Sequence, residues 1–254
     1  IVLSGENMLG EDLVLALDTV ILDRVEFYFV DGGTVVRTSV AGDTVPLSQL
    51  DYPYRFPIVP LEINEEGQCT KIIFRAVSSV GVEIPLTLTT VSLLAESQQS
   101  VLVFDGALLV MFLFCFGITV IVFSYTRDPL FLGVSFFFGA GTVFVLTQTG
   151  LGRIWFWPES IGSNTRLSLI SAIGMMTSLC LIGRVLQFKS RYRDLINVVL
   201  RFVSYSMIPL VLYYLIIPFD QISSNNVIPL MVIGLLIVLA VLIMALIAAI
   251  QGSK

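Results

Sequence analysis

The sequence predicts a membrane protein in two parts: an all-β jelly-roll or sandwich domain over residues 1–98, then a transmembrane helical bundle over residues 99–254. Three observations predict it. Through Ser100 the chain holds fourteen acidic and five basic residues, a net of −9, whereas from Val101 it holds five acidic and nine basic, a net of +4. The first part alternates apolar and polar residues in short runs broken by turn residues, the period of two that strands require. The second part holds five apolar runs, each near the ~20 residues of helix that cross a hydrocarbon core.

In chain order, "EDLVLALDT" reads as a short strand. In "DRVEFYFV", Val25, Phe27 and Phe29 alternate with Glu26, Tyr28 and Val30. Asp31-Gly32-Gly33 tolerates positive φ and "TVVRTSV" resumes the alternation, so the pair is a β-hairpin. "LDYPYRFPIVPLEI" carries Pro53, Pro57 and Pro60, none of which donates to a strand partner. Such residues predict an edge strand, or one entered through an irregular segment, and they blunt unwanted edge pairing. Pro85 does the same for a later strand. "TKIIFRAVSS" and "VEIPLTLTTVSLL" read as two further strands across a turn at residues 78–81. Short strands with frequent turns make a sandwich or jelly roll.

The apolar runs predict spans at residues 101–123, 129–147, 167–188, 195–219 and 227–250, the last without any charge. Asp105 sits at the start of the first span, where a carboxylate suits the helix dipole. Arg201 lies about two turns inside the fourth, a position from which its stem snorkels to the interface. Ser135/Gly139 and Gly174/Ser178 are small residues four apart, which permit close helix approach. Basic residues set orientation. Arg127 lies in one short loop and Lys189, Arg191 and Arg193 in another, with Arg184 just inside the preceding helix. The loops on the opposite side hold only Arg153 and Arg166. The basic loops and Lys254 therefore belong in the cytoplasm and the β domain outside; in a bacterium, that is the inner membrane and the periplasm. Trp155, Phe156 and Trp157 read as interfacial anchors at the outer end of the second span, or as a contact between that loop and the β domain. The chain opens without Met or an export signal and reads as a processed or partial product.

Several function classes are disfavoured. There is no histidine, and the three cysteines Cys69, Cys115 and Cys180 lack metal or disulfide spacing, so neither metal, cofactor nor enzyme chemistry is expected. Cys115 and Cys180 fall within spans and read as small apolar residues. The acidic domain offers no basic patch for nucleic acid. A transporter is disfavoured too, since Gln148 and Pro209 are the nearest approach to a polar, interrupted span.

The β part resembles the periplasmic jelly roll of the bacterial seven-transmembrane receptors with diverse intracellular signalling modules, 7TMR-DISM. The resemblance rests on Asp23-Arg24-Val25 with Tyr28 and Asp31, Gly42-Asp43 with Pro46, and Arg55-Phe56-Pro57 leading to Pro60-Leu61. It continues through Phe74-Arg75-Ala76-Val77 with Ser79, then Pro85-Leu86. "YTRDPLFLG" and "GLGRIWFWPES" resemble that family's loops after the first and second helices. The family has seven helices and then an output module such as a kinase, cyclase or phosphatase; this sequence runs to five. The resemblance implies a receptor or sensor subunit in which ligand or partner binding outside is coupled to helix rearrangement. It also implies a carbohydrate-like or small-molecule ligand, with Tyr28, Tyr52, Tyr54, Arg55 and Arg75 as the candidate lining. A structural reading stands beside this: Tyr52 and Phe56 cover the sandwich edge while Arg55 and Arg75 pair with acids. Arg127 and Asp128 form a helix-end salt bridge or a contact for an output module. The partners expected are the lipid bilayer, the ligand, and a second copy or other membrane subunits. The alternative function is a non-catalytic accessory subunit that docks through its jelly roll.

Overall fold

The computed structural model describes residues 2–3, 12–20, 22–61, 70–78, 84–185, 193–217, 222, 232, 234 and 236. The chain divides into two compact units, residues 1–105 with 146–165 and residues 106–145 with 166–254.

The first unit contains strands β1 (Val2–Leu3), β2 (Leu13–Leu17), β3 (Arg24–Asp31), β4 (Thr34–Ala41), β5 (Ile58–Pro60), β6 (Thr70–Val77) and β7 (Leu86–Thr90). They form two antiparallel sheets, ordered β1-β6-β3-β4 and β5-β2-β7. The inward faces share one core: Val25, Phe27, Phe29 and Ile72 from the first sheet meet Leu15, Leu17 and Val59 from the second. The alternation read in β3 thus separates a core face from an outer face bearing Glu26 and Tyr28. β2 is buried along its whole length. Leu15 and Leu17 enter the shared core, while Val14 and Ala16 join Phe56, Ile58 and Leu94 in a second cluster on the other side. Its unbroken "LVLAL" follows from burial on both faces.

Gly32 and Gly33 have φ of 53° and 85°, so the hairpin turns through two left-handed residues, as the twist of paired strands favours. The register shifts beyond Phe29↔Arg37 to Val30↔Val35, leaving Val36 as an extra residue on β4. The proline-bearing strands are both edges: β5 follows Pro57 and ends at Pro60, and β7 follows Pro85.

One strand expectation is overturned. "VSLL" is not strand; Val91 opens helix α1 (Val91–Thr126), ten residues before the expected span. Thr90 ends β7 and its Oγ1 accepts the Leu93 N–H at 3.3 Å, an N-cap bond that starts the helix. Val91, Leu94 and Gln98 then fall at helical spacing on one face, and Val91 and Leu94 pack against β2 and Phe56. Helical period wins over strand propensity here because the apolar partner lies on one side only.

The remaining helices are α2 (Pro129–Gln148), the short α3 (Leu151–Trp155), α4 (Ser163–Val185) and α5 (Arg193–Ile216). Among the described residues α1, α2 and α4 are long and apolar enough to cross a membrane; the apolar stretch of α5, Leu200–Ile216, is shorter. Of the fifth expected span only Val232, Gly234 and Leu236 fall among the described residues.

In the second unit the small residues do permit close approach. A Cβ on Gly174 would stand 3.2 Å from Ala140 Cβ, and one on Gly139 3.1 Å from the Phe116 ring. Gly141 is tighter, with Phe112 where its Cβ would be. The Ser135 and Ser178 hydroxyls are spent on their own helices, donating to Phe131 O and Gly174 O at 2.7 Å each.

Candidate functional site

The five residues expected to line one ligand surface do not gather. Tyr28 and Arg75 lie on the outer face of the four-stranded sheet, where Glu26 pairs with Arg75 and Tyr28 with Ile73 in register. There the Glu26 carboxylate accepts from Tyr28 Oη at 2.7 Å and from Arg24 Nε at 2.8 Å. The Tyr28 hydrogen bond, then the Arg24 one, hold the Glu26 carboxyl below its usual range, and the same bond to Glu26 raises the Tyr28 phenol. Tyr52, Tyr54 and Arg55 belong to the segment before β5, on the outer side of the other sheet. Tyr54 meets Phe56 edge-on at 4.8 Å between ring centroids, and both tyrosines pack against the second cluster.

Arg55 is buried and corrects the expectation of a ligand-facing guanidinium. Its Nη1 bonds Asp105 Oδ2 at 2.7 Å and lies 3.5 Å from the Thr149 carbonyl. Its Nη2 bonds Gln98 Oε1, whose amide in turn donates to Asp18 Oδ2 at 3.3 Å. Gly150 fits beneath it with φ of 73°, its missing Cβ 2.9 Å from the Arg55 carbonyl oxygen. Asp105 is corrected too: α1 begins at Val91, so this carboxylate lies well inside the helix and serves as the partner of Arg55 instead of a dipole cap. The structural reading of Arg55, pairing with an acid, is the one observed.

A second polar junction ties the 146–165 segment to the loop after β4. Arg153 on α3 is buried and donates through Nη2 to the carbonyls of Gly42 at 2.8 Å and Val45 at 2.6 Å. Asp43 is buried beside it and accepts from both the backbone N–H and the hydroxyl of Thr165 at 3.1 Å. The Asp43 carbonyl accepts from Gly162 N–H at 3.0 Å, and the Pro158 carbonyl accepts from Leu47 N–H at 2.9 Å. Burial raises the Asp43 carboxyl, against the opposing pull of Thr165 and Arg153, and burial lowers the Arg153 guanidinium. Gly42, at φ 117°, has no room for a side chain: its Cβ would lie 2.6 Å from the Asp23 carbonyl oxygen.

The aromatic triplet splits. Trp155 and Phe156 are 75% and 68% exposed, while Trp157 folds back so that its indole lies where a Gly152 side chain would be. At the turn between α1 and α2, Arg127 adopts φ 54° and Asp128 Oδ1 accepts the Leu130 N–H at 2.8 Å. Asp128 is thus an N-cap before Pro129. Lys189 and Arg191 lie outside the described residues, and Arg193 opens α5. Among the described residues no group of three or more His, Cys, Asp or Glu converges to hold a metal.

Sequence reasoning missed Asp18, Asp43, Gln98, Arg153 and Thr165 as contact residues. Arg153 entered only the charge count and the loop resemblance, and nothing in its neighbours distinguishes a buried arginine from a solvated one. Residues 3–90 match the family model described as 7TMR-DISM extracellular 2, and residues 100–254 match that described as 7TM diverse intracellular signalling. No curated protein and no solved structure matches the chain.

Proposed function

Because the chain belongs to the 7TM diverse intracellular signalling family of membrane receptors, we propose that its β sandwich binds a ligand on the outer side of the membrane and passes occupancy to α1 and to the 146–165 segment. The observation that supports this reading is the Arg55 junction. One buried guanidinium joins the segment before β5 to Gln98 and Asp105 on α1 and to Thr149. A ligand that favours one arrangement of that segment thereby biases the start of the helix, in proportion to its differential affinity for the two arrangements.

In this reading Tyr28 and Arg75, on the outer sheet face, contact the ligand, a carbohydrate or small molecule gripped by ring stacking and a guanidinium fork. Tyr52, Tyr54 and Arg55 relay. Trp155 and Phe156 anchor at the outer interface, and Arg127, Lys189, Arg191 and Arg193 face the cytoplasm. In a bacterium the protein sits in the inner membrane with the sandwich in the periplasm, and no catalysis is assigned to these residues.

The test is hydrogen exchange on the purified full chain against a panel of neutral and acidic sugars. A sugar that raises the melting temperature is expected to slow exchange in residues 91–105 as well as in β3 and β6. Protection confined to the strands would overturn the relay, and uniformly flat melts would overturn the sugar. Orientation is checked separately with an impermeant maleimide. In a Cys69→Ser background, Ser48→Cys is expected to label in intact cells, and Ser190→Cys only after permeabilisation.

A further inference from the structure

We propose that the cavity between α2, α4 and α5 binds the phosphate headgroup of an anionic phospholipid. The cavity has a volume of about 330 Å3 and is bounded by Pro129 at the start of α2, by Arg184 near the end of α4 and by Arg201 on α5. Leu132, Gly133, Leu181 and Val185 complete its wall. All of these residues lie within the second unit.

Electrostatics supply the first reason. Two arginines line one cavity, and there is no acidic residue among the described lining residues. Neither arginine has an ion-pair partner among the described residues. Like charges facing one space favour the entry of an anion, and the planar Arg fork matches phosphate oxygens bidentately.

The apolar wall supplies the second reason. Leu132 and Val185 are 51% and 39% exposed, on two helices long and apolar enough to cross a bilayer. A soluble anion makes no use of such a surface. A lipid does, because its acyl chains lie against the helices while its headgroup reaches the arginines at the span ends. Basic pockets between transmembrane helices take anionic headgroups on this principle. Snorkelling alone would bring Arg201 to the interface; the pairing of Arg201 with Arg184 around one cavity supplies a site for it to reach.

The experiment uses the purified full chain in phosphatidylcholine nanodiscs with increasing phosphatidylglycerol, read by lipid retention in native mass spectrometry and by melting temperature. Wild type is expected to retain phosphatidylglycerol and melt higher with it. Arg184→Gln and Arg201→Gln should each weaken retention about five-fold, the effect of one interfacial basic residue. Leu132→Trp, which fills the cavity and leaves both arginines, should also lose it, while Arg127→Gln should not. Retention unchanged in the double arginine variant overturns the proposal, as does equal loss in Arg127→Gln or equal retention of phosphatidylcholine. Inorganic phosphate that matches the lipid's stabilisation would assign the site to a free anion and overturn the lipid.

Discussion

Arg55–Asp105 and Arg24–Glu26 are ion pairs of nearly equal length, 2.7 and 2.8 Å, at opposite faces of the sandwich. The Arg55 side chain is 5% exposed and the Arg24 side chain 47%. Around Arg55 the charge has been taken out of water and is held by Asp105, Gln98 and the Thr149 carbonyl, so each partner is required. Around Arg24 water substitutes for whichever partner is removed. The same two functional groups thus join elements at one face and decorate a surface at the other.

The largest effect is expected from Asp105→Ala, which leaves the Arg55 guanidinium buried with one carboxylate fewer. Breaking a buried pair costs about 3 kcal/mol, to be read as lower protection of residues 91–105 in hydrogen exchange. Asp105→Asn, which keeps an acceptor, should lose less. Next comes Asp43→Ala, which strips the acceptor from two Thr165 donors at a cost of about 1–3 kcal/mol. Thermal melts of the full chain check it, and a neutral result would place Thr165 in contact with water.

A pH series sharpens the contrast. Burial raises the Asp43 carboxyl above its ordinary 3.8. The folded state therefore keeps this proton longer than the unfolded chain, and stability falls as pH rises from 3.8 toward the folded value. The wild type measured against Asp43→Asn should show that downward slope; an upward one would mean that the Thr165 and Arg153 contacts outweigh burial. The smallest effect is expected from Arg24→Ala, with no measurable change in melting at physiological salt. A loss matching that of Asp105→Ala would remove the distinction between the two faces.

Much of the architecture was legible before any coordinates. The β3–β4 hairpin is written in alternation and in Gly32-Gly33, and the edge strands in Pro57, Pro60 and Pro85, because backbone sterics and hydrogen-bond capacity are local properties. The start of α1 was not legible. "LTLTTVSLL" suits either period, and the choice depends on β2 and Phe56 lying beneath Val91 and Leu94. Arg55 and Asp105 each read plausibly alone, as a ligand group and as a helix cap, since a pair fifty residues apart in sequence leaves no trace in either neighbourhood.

What the amino-acid sequence determined by itself is the division into an acidic strand-forming part and an apolar helix-forming part, together with the family they belong to. Hydropathy, charge and turn chemistry act over a few residues and need no partner. Only the tertiary structure decided which arginines are buried, that the 146–165 segment packs with the sandwich through Arg153 and Asp43, and that Arg184 and Arg201 share a cavity. Desolvation and pairing are properties of where distant segments meet, and no single stretch of chain holds that information.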